Sequence, residues 1–282
     1  MFKKLNNVLL TAAILSCAGT ATADSAVTLG SRHAIVIDEN SGTVLLEKNA
    51  QDIVPIASLT KLMTAMVVID QKLDMSEIIT IMDDDVDILK NSSSRVPVGR
   101  SFDRGTLLEL ALMSSDNRAA HALARTFPGG LAGFKLAARN KAHLLKMRRT
   151  NIEEPTGLSP HNTSTAADMA KLAFAASTYP QILQMTTTSD NVIEVDGAPT
   201  RYRNTNRLVG NKNWEILLSK TGFTKEAGRC IVMRVRAAGR NVVMVLLNAR
   251  ESMVRTADAT NIHRFLDGER DAKEAMVTAA SQ

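Results

Sequence analysis

The hydrophobic and polar positions divide the chain into three blocks. Ala34-Ile35-Val36-Ile37-Asp38 and Thr43-Val44-Leu45-Leu46-Glu47 are short β-type runs around Glu39-Asn40-Ser41-Gly42, which predicts a hairpin. Residues 24–31 read as an unstructured lead-in, and from Asp70 to about Pro180 the pattern turns helical. Residues 107–113, 118–125, 133–146 and 166–176 each read as helices, the last started by Ser164 or Thr165. After Asp190 the β signal returns at 214–220, 229–236 and 241–248, the last two joined by the tight turn Ala238-Gly239-Arg240. Residues 254–266 read as a closing helix, and 267–282 as a polar, poorly ordered tail. Strands from both ends of the chain most simply form one mainly antiparallel sheet. The expected fold is α+β, with an inserted helical sub-domain at about 71–180 and a cleft between the two parts.

One stretch departs from the ordinary amphipathic pattern. Ser58-Leu59-Thr60-Lys61-Leu62-Met63-Thr64-Ala65-Met66-Val67-Val68-Ile69-Asp70 reads as one continuous helix in which Lys61 is the only charged residue before Asp70. A helix that is apolar all round is buried. Burial disfavours the ammonium form, so the pKa of Lys61 should fall. Ser58 precedes it by three residues on the same face, near the helix N-terminus. A hydroxyl beside a depressed amine is what an activated serine nucleophile needs.

The N-terminus is of a different kind. Two lysines, an apolar run and Ala21-Thr22-Ala23 read as a secretory signal peptide over residues 1–23. The apolar run is too short to span a bilayer, and the bulky Leu15 makes lipid attachment at Cys17 a poor fit. Cleavage removes Lys3 and Lys4 and no acid, so the net charge of +5 becomes +3, too mild to imply a polyanion partner. Aromatics at 4% argue against nucleic-acid binding by stacking. Cys230 is then the sole cysteine, in an apolar run, and reads as a buried structural thiol without a disulfide. Asp83-Asp84-Asp85-Val86-Asp87 has the look of a calcium loop, but Ile88 and Ser94 stand where an EF-hand needs Gly and Glu. A solvated acidic loop is the better account. The histidines form no close ligand pair, so no metal and no cofactor is expected.

Three short motifs carry the chemistry: Ser58-Leu59-Thr60-Lys61, Ser115-Asp116-Asn117 and Lys220-Thr221-Gly222. Singly they are weak. S-x-x-K arises by chance about once in a chain this long, and Ser189-Asp190-Asn191 also matches S-x-N. Ser115 is preferred because it joins two strongly apolar helices and so can project into a cleft. Trp214, Ile216, Leu218 and Lys220 share one face of a regular strand, which turns Lys220 to the buried side and Thr221 to the other. Gly222 permits close backbone approach.

In this order the trio is the signature of penicillin-binding proteins and class A β-lactamases. The chain resembles the low-molecular-mass penicillin-binding proteins, and among them the D-alanyl-D-alanine endopeptidases of the penicillin-binding protein 7 type. The likeness extends through Glu154-Pro155-Thr156-Gly157-Leu158-Ser159 and Arg203-Asn204-Thr205-Asn206 to Phe223-Thr224. It implies a serine β-lactamase-like fold and a D,D-peptidase domain over 24–266. The implied activity is acyl transfer on D-alanyl peptide stems of peptidoglycan, with β-lactam antibiotics as covalent inhibitors. Ser58 would be the nucleophile and Lys61 its base, with Lys220 supplying positive charge that keeps Lys61 neutral. Ser115 would relay a proton and Asn117 hold the substrate amide. Lys220, Thr221 and Gly222 would form the carboxylate-binding strand, and the backbone N–H groups of Ser58 and Phe223 the oxyanion hole. Three alternatives share this constellation: a D-alanyl-D-alanine carboxypeptidase, a β-lactamase, and a non-catalytic peptidoglycan-binding module. Glu154-Pro155-Thr156-Gly157-Leu158 lacks the E-x-x-L-N pattern of the glutamate that hydrolyses β-lactamase acyl-enzymes. The short segment after residue 266 favours a periplasmic endopeptidase with no membrane anchor over the carboxypeptidases, which often carry a further β-rich domain.

Overall fold

The computed structural model describes residues 27–280, with side chains through 268. The expected signal peptide, Cys17 and the end of the polar tail lie outside the described residues or side chains. The expected hairpin is β1 (His33–Asp38) and β2 (Val44–Lys48), followed by the two-residue β3 (Val54–Pro55). A 3-10 turn, Ala57–Leu59, leads into α1 (Thr60–Asp70). The inserted part is less uniformly helical than its pattern suggested. It begins with a small hairpin of β4 (Ile78–Thr80) and β5 (Ser101–Asp103). Then come α2 (Arg104–Met113), α3 (Asn117–Arg125) and α4 (Gly130–Leu144). The short β6 (Thr163–Ser164) pairs with β3, and α5 (Ala166–Ala176) follows, its first turn capped by Thr165. Pro180 does not end the helical block. It occupies the first turn of α6 (Pro180–Thr187), where its missing N–H costs nothing.

The hairpin of β7 (Asp190–Val195) and β8 (Ala198–Arg203) precedes the three long strands β9 (Glu215–Thr224), β10 (Gly228–Ala237) and β11 (Arg240–Ala249). The main sheet is antiparallel, in the order β2-β1-β11-β10-β9, so strands from both ends of the chain do meet and β9 lies at an edge. One face packs on the helical layer through residues such as Ile35, Val232 and Val245. The other lies under α7 (Ser252–Ala280) through Val36, Met233 and Ile262.

Four sequence expectations change. The closing helix does not stop at Leu266 but continues to Ala280. The lead-in before β1 is anchored: Leu29 is buried, and Gly30 and Ser31 donate backbone N–H bonds of 2.9 and 2.6 Å to Asp258 of α7. Trp214, Ile216, Leu218 and Lys220 do not share a face. Arg234 pairs with Leu218 but Val235 with Ile216, so Leu217 is an extra residue that reverses the alternation. Leu218 and Lys220 face the helical layer, while Trp214 and Ile216 pack under α7.

The fourth change concerns the acidic run, which is not a simple solvated loop. Asp85 is buried and accepts bonds from Arg125 (2.9 and 2.8 Å), the His121 ring (2.8 Å) and the Met82 N–H (2.9 Å). Burial pushes its pKa up, but the bonds from His121, Arg125 and Met82 outweigh that and hold it at about 2. Asp85→Ala removes the buried acceptor of these charged bonds, leaving Arg125 partly exposed to water, and is expected to cost about 1.5–3 kcal/mol in denaturant unfolding at neutral pH. The Asp85 contribution is present above pH 3.8 and is lost as pH falls towards 2, so the gap should narrow in acid.

Candidate active site

Ser58 sits in the 3-10 turn, two residues before α1 begins, so the expected single helix is broken at its first turn. Ala57 has φ +48°, which an α-helix cannot continue through. The turn is tied down on both sides. Ile56 donates to the Asn162 carbonyl (3.0 Å), Thr60 Oγ1 to the Ala57 carbonyl (2.8 Å), and Asn162 Nδ2 to Thr60 Oγ1 (3.1 Å).

Lys61 lies one turn on and is completely buried. Its Nζ is 2.9 Å from Ser58 Oγ, 2.6 Å from Asn117 Oδ1 and 2.8 Å from the Thr156 carbonyl. Three acceptors match the three donors of an ammonium, and an amine in the same place would turn its lone pair to the Ser58 hydroxyl, the one partner that carries a proton. Burial lowers its pKa to about 8, against the opposing pull of Glu154, Asp116 and Asp87. The desolvation expected from the apolar helix thus accounts for the depression, and the added contribution expected from Lys220 is not among its causes. Lys220 is itself buried, and its pKa falls well below the usual lysine value, through burial first and then repulsion by Lys61 and Arg255.

The second wall is the link between α2 and α3. Ser115 adopts φ +61° there, and its Oγ receives a 2.8 Å bond from Lys220 Nζ. Asp116 caps α3 through the Ala119 N–H (3.0 Å), so its part is structural. Asn117 opens α3 and is oriented from behind, its Nδ2 donating to Ser92 Oγ at 2.8 Å. The second S-x-N match lies elsewhere: Asp190 pairs with Arg201, and Asn191 Nδ2 donates to Glu109.

Edge strand β9 forms the third wall. Thr221 Oγ1 bonds Thr205 Oγ1 (2.6 Å). A Cβ at Gly222 would meet the Ile56 carbonyl and the Ser58 nitrogen at 3.0 and 3.1 Å, so β9 lies directly against the serine turn. Ser58, Ser115, Thr205, Thr221, Gly222 and Arg255 line a cavity of about 260 Å³ between the walls. Ser58, Lys61, Ser115, Asn117, Lys220, Thr221, Gly222 and Phe223 are thus brought together from three distant parts of the chain.

Sequence reasoning missed three contributors. The Thr156 carbonyl on Lys61 is a backbone group with no side-chain signature. Ser92 acts only through Asn117. Arg255, on the first turns of α7, donates 2.9 Å to the Cys230 carbonyl, and its buried Nε has no partner among the described residues. It adds a guanidinium to the Lys220 side of the cleft.

The family described as D-alanyl-D-alanine carboxypeptidase, peptidase S11, matches residues 20–251. The chain belongs to this family. It is 46% identical over 241 residues to a D-alanyl-D-alanine endopeptidase of Pseudomonas aeruginosa, covering 85% of this chain and 78% of that one. It is 40% identical over 250 residues to a D-alanyl-D-alanine endopeptidase of Escherichia coli K12, covering 88% and 80%. The solved DD-transpeptidase of Streptomyces K15 superposes with a TM-score of 0.79 at 25% identity, over 85% of this chain and 97% of that one. The S11 chain is accordingly an α+β serine D-alanyl-D-alanine peptidase of the penicillin-binding-protein fold. No helix among its described residues is long and apolar enough to cross a membrane.

Proposed function

We propose that this S11 peptidase is an exported periplasmic D,D-endopeptidase that cleaves D-alanyl cross-links between peptidoglycan stems through an acyl-enzyme on Ser58. The observation that carries the mechanism is the 2.9 Å contact between Ser58 Oγ and a fully buried Lys61. Neutral Lys61 takes the hydroxyl proton as Oγ attacks the D-alanyl carbonyl. The N–H groups of Ser58 and Phe223 receive the oxyanion; losing one such donor commonly costs about 3 kcal/mol. The C–N bond then breaks and the amine leaves with a proton returned from Lys61 through Ser115. Water releases the ester in a second step. Asn117 holds the substrate amide while also positioning Lys61.

The carboxylate that follows the scissile bond belongs beside Lys220, Thr221 and Arg255. Its negative charge offsets the burial and the repulsion that depress Lys220 and restores the ammonium when substrate arrives. Penicillin, which carries a carboxylate in the equivalent place, is expected to acylate Ser58 and to persist. Glu154 is fully engaged by its own loop, accepting from the N–H groups of Thr156 (2.7 Å) and Gly157 (2.6 Å), and so is not free to activate a hydrolytic water. Rapid penicillin turnover would instead favour the β-lactamase reading.

The endopeptidase choice rests on the names of the two relatives above. Incubation with purified cross-linked dimers and pentapeptide monomers, read by mass spectrometry, tests it. Dimers should fall to monomers. Release of D-alanine alone, with dimers intact, would make the protein a carboxypeptidase.

A further inference from the structure

A second cavity, of about 540 Å³, opens next to the catalytic cleft. The two meet at the partners of Lys61, since Asn117 and Thr156 line the larger one. Their characters are opposite. Arg229 and Arg255 line the catalytic cleft, with Lys220 bonded to its Ser115, whereas five carboxylates and one guanidinium line its neighbour. Asp85 and Arg125 neutralise one another, which leaves Asp83, Asp84, Asp87 and Glu154 in excess. The excess is felt at the reacting end, where Asp87 and Glu154 pull the Lys61 pKa upwards.

The rest of the lining is aliphatic. Ile88 is 85% exposed, Leu89 58% and Leu131 44%, three large apolar side chains that lose water on covering. No Phe, Tyr or Trp lines the groove, and its His121 ring is held by Asp85, so it offers sugar rings no stacking platform. Nor do its acids converge on a metal-binding cluster among the described residues. The volume fits a peptide segment. An occupant of matching chemistry is extended, has an aliphatic stem and ends in a positive charge.

We propose that this groove binds the acyl-side peptide stem and selects stems whose residue before the reacting D-alanine carries a free side-chain ammonium. This rests on the D,D-endopeptidase reading, in which the carboxylate after the scissile bond occupies the basic cleft. The acyl side must then leave Ser58 in the other direction, past Asn117 and into the acidic groove. A diamino residue there lays its methylenes on Ile88 and Leu89 and brings its ammonium to the Asp83–Asp84 rim, where both residues are exposed.

The test uses two cross-linked dimers that differ only in whether the acyl-side diamino residue has a free or an acetylated side-chain amine. For the wild-type protein kcat/KM should favour the free amine by about fivefold, the upper end of what exposed opposite charges supply. High salt should erode the ratio. The Asp83→Asn/Asp84→Asn protein should reduce it to about twofold, with penicillin capture on Ser58 showing that its cleft is assembled. Equal turnover of the two dimers by the wild type, or an unchanged ratio in the double variant, would overturn the assignment of the groove. Failure to cleave either dimer would overturn the endopeptidase reading and the groove with it.

Discussion

Ser58→Ala is expected to leave no covalent penicillin adduct, and Lys61→Met to slow adduct formation by about a thousandfold, the usual worth of a positioned base. Intact-mass spectrometry over time reads both, and circular dichroism checks that each variant is folded. The pH profile carries the sharper test. With a pKa of about 8, Lys61 is neutral in about one molecule in ten at pH 7. The acylation rate should therefore rise about tenfold per unit up to pH 8 and flatten above it. A limb near the ordinary lysine value of about 10.4 would mean that burial does not control this amine, and another base would be needed. A second, non-catalytic peptidoglycan-binding reading predicts no difference between Ser58→Ala and the parent protein. The same depression makes a stability prediction of definite sign. The unfolded chain holds the Lys61 proton up to pH 10.5 and the folded one only to about 8. Ordering Lys61 is thus most costly below pH 8, and the cost shrinks between 8 and 10.5.

Much of this site was legible because its key relation is local. Ser58 and Lys61 lie one helical turn apart, and the apolar surroundings that bury Lys61 are its own sequence neighbours. The order of strands and helices was readable for the same reason. What was not legible depends on contacts made across the fold. The face occupied by Trp214 depends on an extra residue opposite β10, and strand periodicity alone gives no sign of it. Asp85 reads as one acid among four until Arg125, forty residues later, closes on it. Arg255 reads as an ordinary helical arginine until α7 carries it over Cys230 to the mouth of the cleft. The same holds for the state of Lys220. Burial of Lys61 is readable from its own helix, but only the assembled cleft shows that Lys220 is buried too and that its pKa also falls.

The geometry also places a demand on a residue that takes no part in the chemistry. Gly157 has φ +85°, and a Cβ there would lie 1.9 Å from the Ala57 carbonyl oxygen and 2.8 Å from the Ser58 nitrogen. The obstruction is backbone on backbone, so no rotamer change relieves it. Gly157→Ala must push the Glu154–Gly157 loop away from the serine turn. The loop delivers the Thr156 carbonyl to Lys61 and the Pro155 carbonyl to Thr64, each within 2.8 Å. Two costs should add: about 1–2 kcal/mol for a side chain in the left-handed region, and about 1–3 kcal/mol for overpacking. Gly197 separates them, because it has φ +73° with nothing within 4 Å of its Cβ position. Gly197→Ala should show only the first cost in denaturant unfolding and leave acylation unchanged. Gly157→Ala should show both, and lose about a hundredfold in acylation because Ser58 and Lys61 no longer hold their register. Equal behaviour of the two variants would mean that the loop yields freely, and that contact with Thr156 does not position the base.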